Sequence, residues 1–229
     1  MKPLPSLLQP AGTPVSQALK LLPLPLHLPR LTHALTALDS VHGDGALPSI
    51  GVDVYKAIPG GLMASFQVDK ATGVPVGIVI SPSSPAWGMS LLHELGHFLD
   101  WSGLGTPGAF ASAGDPTLAA WLSAVDSTPT VRTLRHHLTT PFALTAPGGA
   151  VEWVDVAGLS AYWLQKEELF ARSYAQYIVT RSADPVMVSE LQVIQSRTPF
   201  MALSQWTPAE FTVISAEFDR LFYKRGWMS

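Results

Sequence analysis

"LLHELGHFLDW" occupies residues 91–101. His93 and His97 stand four positions apart, and Glu94 directly follows the first. On a helix, positions i and i+4 project from one face, one turn apart. Two imidazoles so placed can grip one tetrahedral Zn²⁺, at about 2.0–2.1 Å each. A glutamate at i+1 points to one side. It is badly placed to ligate but well placed to touch a water on the metal and act as general base. The spacing predicts a helix with Leu91, Leu95 and Leu99 as its buried stripe. His93, Glu94 and His97 interrupt an otherwise apolar run from Trp87 to Trp101. Buried ionisable groups need a partner, and a metal supplies one. With 7 His in the chain, chance would produce HExxH only about 0.6% of the time, so the metal reading outweighs an amphipathic helix with two surface histidines. Gly96 costs roughly 1 kcal/mol of helix propensity against alanine, which predicts close packing there.

The third ligand separates the possible sites. A third histidine six positions after His97 is excluded, because that position holds Gly103. Asp100 stands where that motif needs glycine. The remaining option is a glutamate on a later helix, with a small residue one turn on. "KEELFARSYAQY" (166–177) offers Glu168, followed three positions later by Ala171, and Glu167, followed by Phe170. The small residue lets the HExxH helix approach, so Glu168 is favoured over Glu167.

Working outward, three strands are expected before the helix: 49–58, 61–70 and 74–82, with turns at Pro59-Gly60-Gly61 and 71–73. They read as an antiparallel meander. The "VGIVIS" strand could be an exposed edge for an extended peptide, or an interior strand. Ser84 and Pro85 are expected to cap the HExxH helix, and Gly103 and Gly105 to end it. Helices follow within 109–125, capped by Asp115, and at 128–138, 165–181, 184–197 and 207–226, the last with a Thr207/Glu210 capping box. Residues 139–158 read as irregular. Strands first and helices after predict an α+β domain over 46–229. Residues 1–45 form a proline- and leucine-rich arm, partly helical, with Leu31, Leu35 and Leu38 at helical spacing.

Composition sets limits. The 229 residues are 47% hydrophobic and 14% charged, which suits a packed core rather than disorder. The net charge of −3 gives no electrostatic reason to expect nucleic acid or an anionic membrane as partner. With Cys at 0, a metal must be held by His, Asp or Glu. The apolar stretch at the N-terminus is broken by prolines, so neither a signal peptide nor a spanning helix is expected. A cytoplasmic location, or export without a classical signal, follows from that reading. Nothing in the sequence bears on oligomeric state.

"HELGHFLDWSG" followed by "EELFARSYAQY" resembles the glutamate-zincins related to the catalytic domain of anthrax lethal factor. It also looks like metallopeptidase domains in polyvalent proteins of phages and mobile elements. The resemblance covers two blocks within about residues 85–180. It implies a zincin-like fold in which a small antiparallel sheet packs on the HExxH helix, followed by a mostly helical half. It implies zinc on His93, His97 and Glu168, Glu94 as base, and hydrolysis of a protein or peptide by a toxin-like or mobile-element protein. A tyrosine upstream of the glutamate ligand would stabilise the oxyanion. Tyr162 is nearest, with Tyr174 in reserve. The alternative is a non-catalytic zincin-like binding or regulatory domain. Asp100 and Arg172 would clasp each other, hold a ligand histidine, or make plain salt bridges. His136 and His137 read as surface histidines, although one could enter the cleft. Trp87, Trp101 and Trp163 read as core.

Overall fold

The computed structural model describes residues 9–21, 28–54, 58, 62–81, 83–106, 108–145 and 148–229. The expected turn at 59–61 and the end of the first expected strand, 55–57, lie outside them. The chain is α+β. Strand β1 (Leu19–Leu21) and helix α1 (Leu28–Asp39) precede β2 (Ile50–Val54), β3 (Ala64–Val68), β4 (Pro75–Ile80) and the HExxH helix α2 (Trp87–Leu99). Two short helices follow, α3 (Ala119–Asp126) and α4 (Pro129–His136), then a hairpin of β5 (Phe142–Thr145) and β6 (Val151–Val154). Helices α5 (Ala157–Trp163), α6 (Lys166–Ser182), α7 (Pro185–Gln195), α8 (Pro199–Ala202) and α9 (Pro208–Lys224) complete the described chain. No helix among the described residues is long and apolar enough to cross a membrane.

The first sheet is mixed, which corrects the expected antiparallel meander. Its order is β1-β2-β4-β3, with β1–β2 and β2–β4 parallel and only β3–β4 antiparallel. Burial explains the order. Ile78, Val79 and Ile80 of β4 are all buried, so this strand needs cover on both faces and takes an interior place. Strand β3 carries Ser65 and Gln67, is only half-buried, and tolerates the edge. The free edge beside the HExxH helix is therefore β3, not the "VGIVIS" strand. The turn into β4 is built by Asp69, whose carboxylate accepts from the N–H groups of Ala71 and Thr72 at 2.9 Å each.

Two further expectations are corrected. The start of α2 is not capped by the Ser84 side chain, which bonds Ser90 instead. Glu190 of α7 does the work from a distance, accepting the Met89 N–H at 2.9 Å. Residues 139–158 are not irregular throughout, since they hold the β5–β6 hairpin and the start of α5. Asp115 does cap as expected, but on a 3-10 turn that leads into α3. Helices α6, α7 and α9 lie within about two residues of their expected limits, and the Thr207/Glu210 capping box is present.

One large core joins α1, the first sheet, α2, α3, α6, α7 and α9, and a smaller cluster of Leu134, Val156, Trp163 and Phe200 lies apart from it. Leu91, Leu92, Leu95, Phe98 and Leu99 of α2 are buried against α6 and the sheet, each worth about 1.5–3 kcal/mol on transfer from water. Leu31 and Leu38 of α1 enter the same core. At Gly96, helices α2 and α6 meet with almost no side chain between them. A Cβ added at Gly96 would lie 2.7 Å from the Ala171 Cα and 3.2 Å from its carbonyl oxygen. Backbone is rigid, so the helices would have to part.

Gly96→Ala is expected to destabilise the fold by about 1–3 kcal/mol, although alanine is the better helix former by roughly 1 kcal/mol. Urea denaturation at constant m checks it.

His42 generates a second expectation. It is fully buried, and its Nδ1 lies 2.6 Å from the Gly43 carbonyl, which can only accept. Nε2 then accepts from the Tyr174 hydroxyl at 2.8 Å. Both nitrogens are used by the neutral ring, and burial lowers its pKa from 6.5 to about 4. Between those values the unfolded chain binds the extra proton, so stability from this group is full above pH 6.5 and falls as pH drops to about 4. The loss is expected to reach about 3 kcal/mol and to be absent in His42→Gln. The difference between the two proteins' stability against pH measures it.

Candidate metal centre

Helix α2 presents His93 and His97 on one face, and the first turn of α6 presents Glu168 to them. His93 Nε2 lies 3.3 Å from Glu168 Oε2, and His97 Nε2 lies 3.3 Å from Glu168 Oε1. The imidazole planes are nearly perpendicular, at 86°, with ring centroids 4.8 Å apart. One ligand atom from each of the three residues falls within 4.8 Å of the others, so the group could hold a metal ion. Glu168 and His97 are buried and His93 is half-buried. Burial alone would push the Glu168 carboxyl up. The two imidazoles instead hold it well below the usual carboxylate range.

The donor set fits a small divalent cation. Tetrahedral bonds of about 2.0–2.1 Å put neighbouring ligand atoms about 3.3–3.4 Å apart. Each imidazole nitrogen lies 3.3 Å, about one such edge, from a different oxygen of Glu168. Of the two candidate glutamates, Glu168 is the one brought to the histidines, and Glu167 lies beside it on the cleft wall.

Glu94 sits beside the triad, 5% exposed. Its Oε2 accepts the backbone N–H of Phe66 at 2.6 Å, which ties the carboxylate to the free edge of β3. Burial pushes its pKa up to about 7. The His97 ring and the Phe66 N–H oppose that shift, and the Glu168 charge adds to it. The Tyr162 hydroxyl donates to Glu168 Oε1 at 2.6 Å. Burial, then the Glu168 charge, raises this phenol far above its ordinary value, so it remains a donor. A cleft of about 250 Å³ opens here, lined by Glu94, His97, Glu167, Glu168, Tyr162 and Phe110 among others. A larger cavity, about 570 Å³, lies between α6, α7 and α9 and includes none of these residues.

Several expected roles fall elsewhere. Tyr174 is fully buried and bonds His42, so it is not at the cleft. Asp100 and Arg172 do not pair. Asp100 accepts from the Ser112 N–H at 2.8 Å and its hydroxyl at 2.5 Å, which anchors the segment carrying Phe110 against the His97 ring. Burial pushes its carboxyl up to about 6 against those bonds. Arg172 is buried and donates to the carbonyls of Trp163, Leu203 and Ser204, with its guanidinium 5.2 Å over the Trp206 ring. His136 is exposed and His137 half-buried, its Nδ1 2.8 Å from the Thr140 carbonyl. Trp87 and Trp163 are buried; Trp101 is half-buried and donates to the Gly73 carbonyl at 2.9 Å. His97 Nδ1 is buried with no hydrogen-bond partner among the described residues.

The Phe66 amide, Phe110 and Ser112 were not found by reading the sequence. None carries a motif. Which way a strand's N–H points depends on which edge is free, and that depends on strand order.

Comparison with known proteins returns no matching family model, no matching curated protein and no matching solved structure.

One divalent cation per chain is expected to bind and to raise the melting temperature, with chelator reversing it. His97→Ala and Glu168→Ala should each weaken binding at least about 100-fold, whereas Glu167→Ala should not. Titration calorimetry with Zn²⁺ checks all three.

Proposed function

We propose that the chain is a zinc-dependent endopeptidase of the glutamate-zincin kind, with His93, His97 and Glu168 as ligands. One observation carries the reading: the ligand triad, a buried carboxylate outside it and a free strand edge meet in a single cleft. Zinc is favoured by the donor set, two imidazoles and one carboxylate, with each imidazole nitrogen 3.3 Å from a carboxylate oxygen. Bound there, Zn²⁺ supplies Lewis acidity, polarising a carbonyl and making water acidic near neutral pH.

The protein's own groups do the rest. Glu94 Oε2 is held by the Phe66 N–H, and Oε1 has no hydrogen bond among the described residues. That oxygen takes a proton from water in the cleft and later gives it to the leaving amine. An extended peptide pairs with the open edge of β3, and this lays its scissile carbonyl across the cleft. The Tyr162 hydroxyl, at the mouth of the cleft, leaves Glu168 and donates to the oxyanion. Burial of Glu94 favours hydrolysis over a purely metal-binding role. A structural site needs no carboxylate outside its ligand set, and burying one is costly.

Glu94→Gln is expected to keep zinc and lose cleavage of a denatured protein substrate by about 10²–10⁴. Tyr162→Phe should keep zinc and lose about 10²-fold in kcat. Single-turnover assays with metal analysis on the same samples check both. Zinc retained with no cleavage by the wild-type chain would sink the hydrolase reading and leave a binding or regulatory domain.

A further inference from the structure

We propose that Glu167 makes this cleft select a basic side chain, lysine or arginine, next to the scissile bond. The assignment rests on the hydrolase reading above. Glu167 precedes Glu168 on the first turn of α6, is half-buried, and lines the same cleft as Glu94, Phe66, Phe110 and Tyr162. Three carboxylates line this cleft, and no lysine or arginine does. Two of them have work already: Glu168 faces the histidines and Glu94 is tied to Phe66. Glu167 takes part in none of the ion pairs among the described residues. Its neighbour Lys166 is directed elsewhere, donating to the Ala113 carbonyl at 2.9 Å.

The walls suit the same occupant. Leu62, Phe66 and Phe110 flank the carboxylates. Lysine and arginine lay a methylene stem on apolar surface and carry the charge beyond it, and an aromatic face attracts that charge. A charge-assisted bond to a carboxylate in a partly dry cleft outweighs a neutral contact. An acidic substrate residue would meet the like charge of Glu167 and be disfavoured. Glu167 also suits the positive end of α6, but that effect alone would alter stability and leave selectivity unchanged.

The test uses the full chain loaded with zinc and a peptide library in which one position at a time is fixed as Lys, Arg, Leu or Glu. Cut sites are read by mass spectrometry. Cuts are expected beside Lys or Arg, with kcat/KM at least about tenfold above the matching Leu peptide. Glu167→Gln should lower that ratio about tenfold, and Glu167→Lys should turn the preference toward Glu. Both variants should hold zinc as the wild type does. Binding provides a second readout. Fluorescence anisotropy on Glu94→Gln should show tighter binding of the Lys peptide than the Leu peptide, a difference lost when Glu167→Gln is added. Cleavage without basic preference, or a ratio unmoved by Glu167→Gln, overturns the assignment and leaves the hydrolase reading standing. Loss of zinc by Glu167→Gln overturns it by making Glu167 part of the metal site. If the zinc-loaded wild type cuts no peptide, the hydrolase reading fails and the assignment falls with it.

Discussion

The contact of two backbones, Gly96 on α2 and Ala171 on α6, is the constraint on which the rest of the structure depends. The gap left for a Cβ there is 2.7 Å, less than any side chain can occupy. The contact brings the first turn of α6 up to the histidine face of α2, so that one carboxylate reaches two imidazoles at 3.3 Å each. An ordinary helix pair, 8–10 Å between axes with side chains interleaved, would leave more room. The absent side chain at Gly96 and the small one at Ala171 thus act through distance. Glycine in mid-helix costs stability locally, and the buried leucines of α2 offset that cost.

Around this contact, polar groups are held by partners remote in sequence. Glu190 caps α2 from α7, and Ser112 takes both oxygens of Asp100. Arg172, buried, with its pKa brought down by that burial to about 10, gathers three carbonyls from two chain segments. Each bond satisfies a group whose burial alone would be unfavourable. Together they border the cleft with helices α2 and α6, the edge of β3 and the short helix α5 that carries Tyr162. Rigid support of this kind is what a metal site needs, because ligands misplaced by an ångström lose affinity.

Glu94 joins the sheet to the helix pair. Its bond to Phe66 depends on β3 being the edge strand, and β3 is the edge because β4 is too apolar to be one. The composition of one strand therefore decides where the carboxylate beside the candidate metal centre is anchored. The two glutamates at the start of α6 then divide by direction. Glu168 turns to the histidines, while Glu167 remains on the cleft wall with no ion-pair partner among the described residues.

The positions of α2, α6, α7 and α9, the two histidines on one face, and the need for a small residue near the third ligand were all legible in the chain. They rest on local periodicity, capping residues and the i, i+4 geometry of a helix, which adjacent residues determine. Tertiary structure alone decided the order and direction of the strands, because a parallel pairing of β2 with β4 joins segments with no local pattern linking them. It also decided that Tyr174 turns to His42, and that Asp100 and Arg172 go to separate partners. Each of these depends on which surface a neighbouring element presents. That follows from how the whole core packs, and no short stretch of sequence records it.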